Sequence, residues 1–305
     1  MWNFDFDKTS YRRKCLEEYY RKEGLNACEF SCGNYKICSE SQRERYKKQY
    51  SGGTCALMPF YDVSYNGIPI RVLVVGKETG YMKNEKYGTA KNFEENSLNV
   101  LNCIGWEKKN NHIKGTLYIL QNIFNIHTEY VYSSYALTNL LRCSFQNETV
   151  QENVSATHDT AIMRKMCINH LIQEIKILEP TIIIVQGEWA TKGCFLIREF
   201  EKVFGKSKSI MHNSNRKYGL YEFEEFDCML THHPAILGNW VKNLAPDSVW
   251  PMLDYLRNIG RLPIICEDSG LEYEKKVRPI VDEMISRLPS NDRLRGNIDG
   301  IMLKE

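Results

Sequence analysis

The stretch Arg71-Val72-Leu73-Val74-Val75-Gly76-Lys77-Glu78-Thr79-Gly80-Tyr81 decides how this chain is read. Ile70 to Val75 is short, rich in β-branched residues and nearly continuous in apolar side chains. That pattern predicts a strand buried on both faces, as in a parallel sheet. Two glycines then bracket a single carboxylate, Glu78. In open α/β sheets ligands bind at the carboxyl ends of the strands, so Glu78 stands where chemistry is usually done. A tight turn carrying a solvated Glu is the plain alternative.

Outward from that stretch the same alternation continues. Tyr135 to Cys143 reads as a second buried strand with Asn139 and Cys143 toward its end, and Thr181 to Val185 as a third. Edge-like strands are expected near Leu220 to Phe223 and Phe226 to Leu230, the latter running into Thr231-His232-His233-Pro234-Ala235. Helical spacing predicts helices at Ser10–Lys22, Phe93–Cys103, Gly115–Phe124, Asp159–Leu178, Glu188–Phe204 and Ser248–Asn258. Glu179-Pro180 ends the fourth of these. Strands alternating with helices indicate an α/β fold of three layers, α/β/α, around a central, mostly parallel four-stranded sheet. Residues 1–262 make this domain, and 263–305 a helical extension with a helix at Glu272–Arg287.

Composition sets broad limits. The chain has 305 residues, 43% of them apolar, 26% charged, with net charge +2. This is ordinary globular material with a full core, and the balance neither signals nor excludes a nucleic-acid partner. The opening Met1-Trp2-Asn3-Phe4-Asp5 lacks the regions of a signal peptide. No apolar run approaches the ~20 residues that span a bilayer. A cytoplasmic monomer without membrane contact is expected.

The 11 cysteines are many for such a protein. Reduced thiols or metal ligands are expected in preference to disulfides. Cys28, Cys32 and Cys38 fall within eleven residues around Gly33, a loop suited to zinc or an iron–sulfur centre. Their spacings do not match a zinc-ribbon pair. Cys55 is a spare thiol or a further ligand. Cys103, Cys194, Cys228 and Cys266 lie in apolar sequence and read as small hydrophobes.

Three strand ends thus carry Glu78, Asn139 and His233. A carboxylate, an amide and an imidazole at the same sheet edge can converge on one ligand. Here the sequence resembles the uracil-DNA glycosylase superfamily, and most closely its iron–sulfur (family 4-like) branch. That branch has a strand ending in Gly-Glu-Ala-Pro-Gly, and a related branch has Gly-Gln-Asp-Pro-Tyr; this chain has Gly76-Lys77-Glu78-Thr79-Gly80. A strand like Ile-Thr-Asn-Val-Val-Lys-Cys is matched by Leu137-Thr138-Asn139-Leu140-Leu141-Arg142-Cys143. A helix with a cysteine and a strand like Pro-Lys-Val-Ile-Val-x-Leu-Gly are matched by Cys167 and by Pro180 to Gly187. The final Thr-x-His-Pro-Ala is present at Thr231 to Ala235. The resemblance covers residues 28 to 258.

The resemblance implies a monofunctional DNA N-glycosylase that flips a base from DNA and leaves an abasic site. Glu78 would stabilise the cationic sugar and orient water, and His233 would stabilise the departing base. Asn139 would read the base edge beside Gly76, with Phe93 or Tyr87 stacked on it. Leu237 and Trp240, near Ile236, would fill the gap in the helix. Four of Cys28, Cys32, Cys38, Cys143 and Cys167 would hold a structural 4Fe-4S cluster, with zinc as the alternative. Glu78 aligns with the water-activating Asp of the Gly-Gln-Asp-Pro-Tyr relatives, and the motif proline is missing. With the inserts at 82–92 and 144–158, this predicts a modified or hypermodified pyrimidine as the target, as in divergent members that act on phage DNA in bacterial defence. An ordinary uracil enzyme of base-excision repair and a non-catalytic, metal-stabilised nucleic-acid binder are the other readings.

Overall fold

The computed structural model describes residues 1–25, 31–41, 48–51, 54–76, 111–146, 160–187, 194–213, 218–232 and 245–286. In chain order the elements are β1 (Trp2–Phe4), α1 (Phe6–Lys22), α2 (Tyr35–Glu40), β2 (Lys48–Ser51), β3 (Ala56–Leu57), β4 (Val63–Tyr65), β5 (Ile68–Pro69) and β6 (Val72–Gly76). There follow α3 (Asn111–Phe124), a 3-10 segment at Glu129–Ser134, β7 (Tyr135–Asn139), β8 (Cys143–Gln146), α4 (Ala161–Leu178) and β9 (Ile182–Gln186). The remainder is α5 (Cys194–Phe204), β10 (Lys208–Asn213), β11 (Tyr218–Glu222), β12 (Asp227–Thr231), α6 (Val249–Asn258) and α7 (Glu267–Ser286).

The chain is a mixed α/β protein. Its main sheet has seven strands in the order β10-β11-β12-β9-β6-β7-β3, not the four expected. The β12–β9, β9–β6 and β6–β7 pairings are parallel. Antiparallel pairings add β11 and β10 at one edge and β3 at the other. β10 was not expected because Lys208 to Asn213 is largely polar, with no residue fully buried, so it lacks the apolar signal of the inner strands. The second expected strand is also two pieces. β7 stops at Asn139, and Cys143 begins β8, which pairs with β2 in a separate two-stranded sheet.

The apolar runs are explained by helices on both faces. Val72, Val74, Ile182, Ile184 and Met229 pack toward a core completed by α3, α6 and α7. Leu73, Val75, Ile183, Val185, Cys228 and Leu230 face the opposite core, built from α1, α4 and α5. Every residue of β6, β9 and β12 is buried, so no polar face remains to produce alternation.

α7 begins five residues earlier than predicted and is not peripheral. Tyr273, Val277 and Val281 are buried in the first core, and Tyr273 hydroxyl bonds Ser133 and Ser134. The indole of Trp2 donates to the carbonyl of Ser269 at 2.6 Å. Gly270 permits this seat, because a Cβ there would stand 2.2 Å from the carbonyl oxygen of Asn125. No helix among the described residues is long and apolar enough to cross a membrane.

Candidate functional site

The register of the inner strands lines up four residues at their carboxyl ends. Gly76 is opposite Asn139, and Thr231 is opposite Gln186. Val75 is opposite Val185, which places Gly76 beside Gln186. The row therefore reads Asn139, Gly76, Gln186, Thr231. Each lies an even number of residues from Leu137, Val74, Ile184 and Met229, so all four share the face toward α3.

The row lies at a topological switch. β6 and β9 are neighbours, yet the chain leaving β6 passes through α3 on one face to β7, while that leaving β9 enters α5 on the other. Connections that depart in opposite directions leave a crevice between the two strand ends, the usual ligand position in open α/β sheets.

The two residues at that switch are chemically distinct from the strands below them. Gly76 supplies no side chain, and the space is taken by its neighbour: a Cβ on Gly76 would stand 2.5 Å from Asn139 Oδ1. The Asn139 amide thus lies across the glycine, and the Leu140 N–H donates to the Gly76 carbonyl at 2.9 Å. Gln186 is wholly buried, and its amide nitrogen donates to Thr116 Oγ1 of α3 at 3.0 Å. The Thr231 hydroxyl donates to the Val185 carbonyl at 3.2 Å. Sequence reading singled out Gly76 and Asn139 but missed Gln186. Its only signal was a polar residue ending a run of four aliphatic ones.

Glu78, Tyr87, Phe93, His233, Leu237 and Trp240 lie outside the described residues. In sequence Glu78 is two residues beyond Gly76, and His233 two beyond Thr231. The strands that lead into both end on the same row. A cleft of about 500 Å³ elsewhere is lined by Tyr118, Gln121, Asn122, Trp250 and Arg257; none of the row residues borders it.

The cysteines occupy the other face. Cys38 and Cys167 are buried in the core of α1, α4 and α5, with Cys32 packed against it. Burial first, then the neighbouring Cys167 and Cys32, push the Cys38 thiol up to about 11. Burial also raises Cys167, with Cys32 adding to it; the backbone N–H and the charge of Arg142 oppose the rise. That backbone contact brings the residue preceding Cys143 to the Cys167 sulfur. Among the described residues no three His, Cys, Asp or Glu side chains are close enough to hold a metal ion. Cys28 and the side chain of Cys143 lie outside them. Cys55 is wholly buried and belongs to the core, whereas Cys266 is exposed, contrary to its apolar sequence context. Ile264 beside it is exposed as well, so the apolar run Leu262 to Cys266 faces outward in part.

A polar network underlies the thiols. Arg142 Nη2 contacts Glu174 Oε2 at 2.6 Å, with side-chain exposures of 2% and 0%. Arg142 Nη1 donates to Thr138 Oγ1 at 2.9 Å, and that hydroxyl donates to Glu174 Oε2 at 2.7 Å. The Tyr20 hydroxyl donates to the other Glu174 oxygen and accepts from the Cys55 N–H. The network thus ties α1, α4 and the end of β7, next to Asn139. His170 is one helical turn from Cys167 on α4, and its Nδ1 bonds the Tyr19 hydroxyl at 2.7 Å. Burial first, then the charge of Arg142, pulls its imidazole down to about 4. No protein-family model and no curated protein sequence matches the chain.

Proposed function

We propose that the protein is a monofunctional DNA N-glycosylase that hydrolyses the bond between deoxyribose and a flipped, modified pyrimidine. The observation that carries this reading is the amide-lined row at the switch point. Asn139 folds over a glycine whose strand leads in two residues to Glu78, and Thr231 leads in two residues to His233. The three-layer glycosylase architecture suggested by the motifs is consistent with helices on both faces of a sheet whose inner pairings are parallel.

In this reading a base stands beside the strand end at Gly76, where the Asn139 amide occupies the place a Cβ would take, and Asn139 offers it one donor and one acceptor. Glu78 stabilises the oxocarbenium-like sugar and orients water. His233 donates to the base oxygen on which negative charge develops. Tyr87 or Phe93 stacks on the base, and Leu237 and Trp240 support the opened duplex. Removing a glycosidase carboxylate or an oxyanion donor costs on the order of 10²-fold or more in rate. Glu78→Gln and His233→Ala should therefore each abolish base release and leave DNA binding within a few-fold. Mass analysis of bases freed from uracil-containing and hypermodified DNA tests the reading directly. Release from uracil DNA alone would make this an ordinary uracil enzyme. Release from neither, with DNA binding intact in both variants, would make it a non-catalytic binder.

The thiols suit a metal centre in chemistry. Cys32, Cys38 and Cys167 share one core, and burial together with neighbouring thiols disfavours the thiolates of Cys38 and Cys167, a penalty that a bound cation relieves. Four of Cys28, Cys32, Cys38, Cys143 and Cys167 would hold a 4Fe-4S cluster, with zinc the alternative. Bound there, the group would cross-link the N-terminal segment to β8 and α4 and supply stability rather than chemistry.

A further inference from the structure

The cleft away from the strand ends is a groove between α3 and α6 with a volume of about 500 Å³, a size that holds a small ligand. Tyr118 of α3 and Trp250 of α6 are its aromatic walls. Both are half-buried and packed on their inner side against the first core. α3 adds three side-chain amides, Gln121, Asn122 and Asn125. Two of these are held in one orientation by partners whose chemistry is fixed. Arg257 Nη2 donates to Asn122 Oδ1 at 2.8 Å. A guanidinium has no acceptor, so the amide oxygen must face it, and the Asn122 Nδ2 donor is left over. Asn125 Nδ2 donates to the Ile265 carbonyl at 2.7 Å. A carbonyl has no donor, so the Asn125 Oδ1 acceptor is left over. The groove therefore carries a spare donor and a spare acceptor on residues three apart, which are neighbours on a helix, and both are preorganised. It carries no spare charge. Arg257 is the only lysine or arginine bordering it among the described residues. Its Nη1 meets Asp254 at 2.9 Å, and its Nη2 serves the backbone and side chain of Asn122.

We infer that this groove binds a neutral, planar heteroaromatic ring whose edge carries an acceptor beside a donor, the chemistry shared by a free nucleobase and its nucleoside. The flat faces of Tyr118 and Trp250 suit a flat ring. Asn122 Nδ2 suits its carbonyl oxygen, and Asn125 Oδ1 suits its ring N–H. A phosphate group finds no free cation there. The inference does not rest on base excision at the strand ends, since none of the row residues borders the groove.

The test is equilibrium dialysis of the full chain against uracil, uridine and uridine monophosphate. Uracil or uridine should bind, and the monophosphate should bind no tighter than uridine at any salt concentration. Tighter binding of uracil marks the free base as the ligand, and tighter binding of uridine marks the nucleoside. Dimethyluracil, with both ring nitrogens methylated, should not bind. Asn122→Asp keeps the acceptor that Arg257 needs and removes only the donor. The melting temperature should therefore hold while affinity falls about tenfold or more. Asn139→Ala, at the strand ends, should leave affinity unchanged. The native protein gives a second readout that needs no variant: iodouridine irradiated in the complex should crosslink to Tyr118 or Trp250, located by peptide mass analysis. The inference is overturned if neither uracil nor uridine binds, if dimethyluracil binds equally well, if glucose or a blocked dipeptide displaces uridine, or if every crosslink falls elsewhere. Affinity unchanged in Asn122→Asp but lost in Asn139→Ala also overturns it, moving the base to the strand ends in favour of the excision reading. Groove binding that fails while base release persists overturns this inference alone.

Discussion

Both buried arginine clusters fasten α1 to the carboxyl-terminal part of α4. At the first, Arg12 meets Asp62, Glu179 and the Ile177 carbonyl, and Asp62 also accepts from Thr9. At the second, Arg142 meets Glu174, which also receives Tyr20 and Thr138. Both guanidiniums are buried, but Arg12 meets two carboxylates, one of them exposed, and Arg142 meets one that is wholly buried. They differ in completeness and in neighbours. The Arg12 cluster satisfies its cation and abuts the amino ends of the strands, where Thr181 bonds Arg71. The Arg142 cluster leaves a donor, Nε, unused among the described residues and lies beside thiols and the carboxyl end of β7. A saturated buried pair serves packing and orientation, whereas an unsaturated one is poised to hold something further.

Neutralising each carboxylate tests that difference most strongly. Glu174→Gln strands a buried guanidinium and should cost on the order of 3–5 kcal/mol in urea unfolding, whereas Asp62→Asn leaves Arg12 paired with Glu179 and should cost less. Only Glu174→Gln should also alter metal retention. Equal effects on metal retention would erase the distinction.

Titration separates the two clusters next. His170 belongs to the Arg142 cluster, and its imidazole falls from 6.5 to about 4 on folding. A depressed histidine contributes stability that is full above its unfolded value. As pH falls from 6.5 toward 4 the unfolded chain takes up a proton that the folded one refuses, so stability drops by roughly 3 kcal/mol over that window. Denaturant midpoints measured between pH 7 and pH 4 should show the drop, and His170→Gln should flatten it. Substitutions of Arg12 should leave the slope intact.

A smaller effect is expected at the row that the Arg142 cluster supports. Gly76→Ala drives a methyl into Asn139 Oδ1. Overpacking of this kind costs about 1–3 kcal/mol, and turning the amide away should reduce base release more than tenfold if Asn139 reads the base. Calorimetry and a release assay on the same preparation give both numbers. The smallest effect concerns the link from α2 to α4. Thr160 caps α4 by accepting from the Met163 N–H at 3.1 Å, and its hydroxyl contacts Ser41 just past α2. Thr160→Ala should cost about 1 kcal/mol in thermal unfolding and modestly quicken metal loss, because Cys38 rides on α2.

The inner strands were legible because burial on both faces writes a continuous apolar run. β6, β9 and β12 were found within about two residues for that reason. β10 carried no such run, and the hairpin β4–β5 is too short to establish a period. Asn139 and Gly76 were readable as polar and glycine punctuation at a strand end. Gln186 and Glu174 were not: a single polar residue in an aliphatic strand or an amphipathic helix looks the same whether it faces solvent or a buried partner.

The sequence by itself determined the α/β alternation, the strand ends at which polar residues fall, and the density of thiols, since these depend on local period and residue type. Only the tertiary structure decided that Asn139, Gly76, Gln186 and Thr231 share one row, that β6 and β9 flank the switch, and that Arg142 stands against Cys167 with a donor to spare. Those facts depend on strand order and register between segments up to 155 residues apart in the chain, from Gly76 to Thr231. No local pattern encodes that pairing; it is settled when the whole apolar surface of the sheet is covered at once.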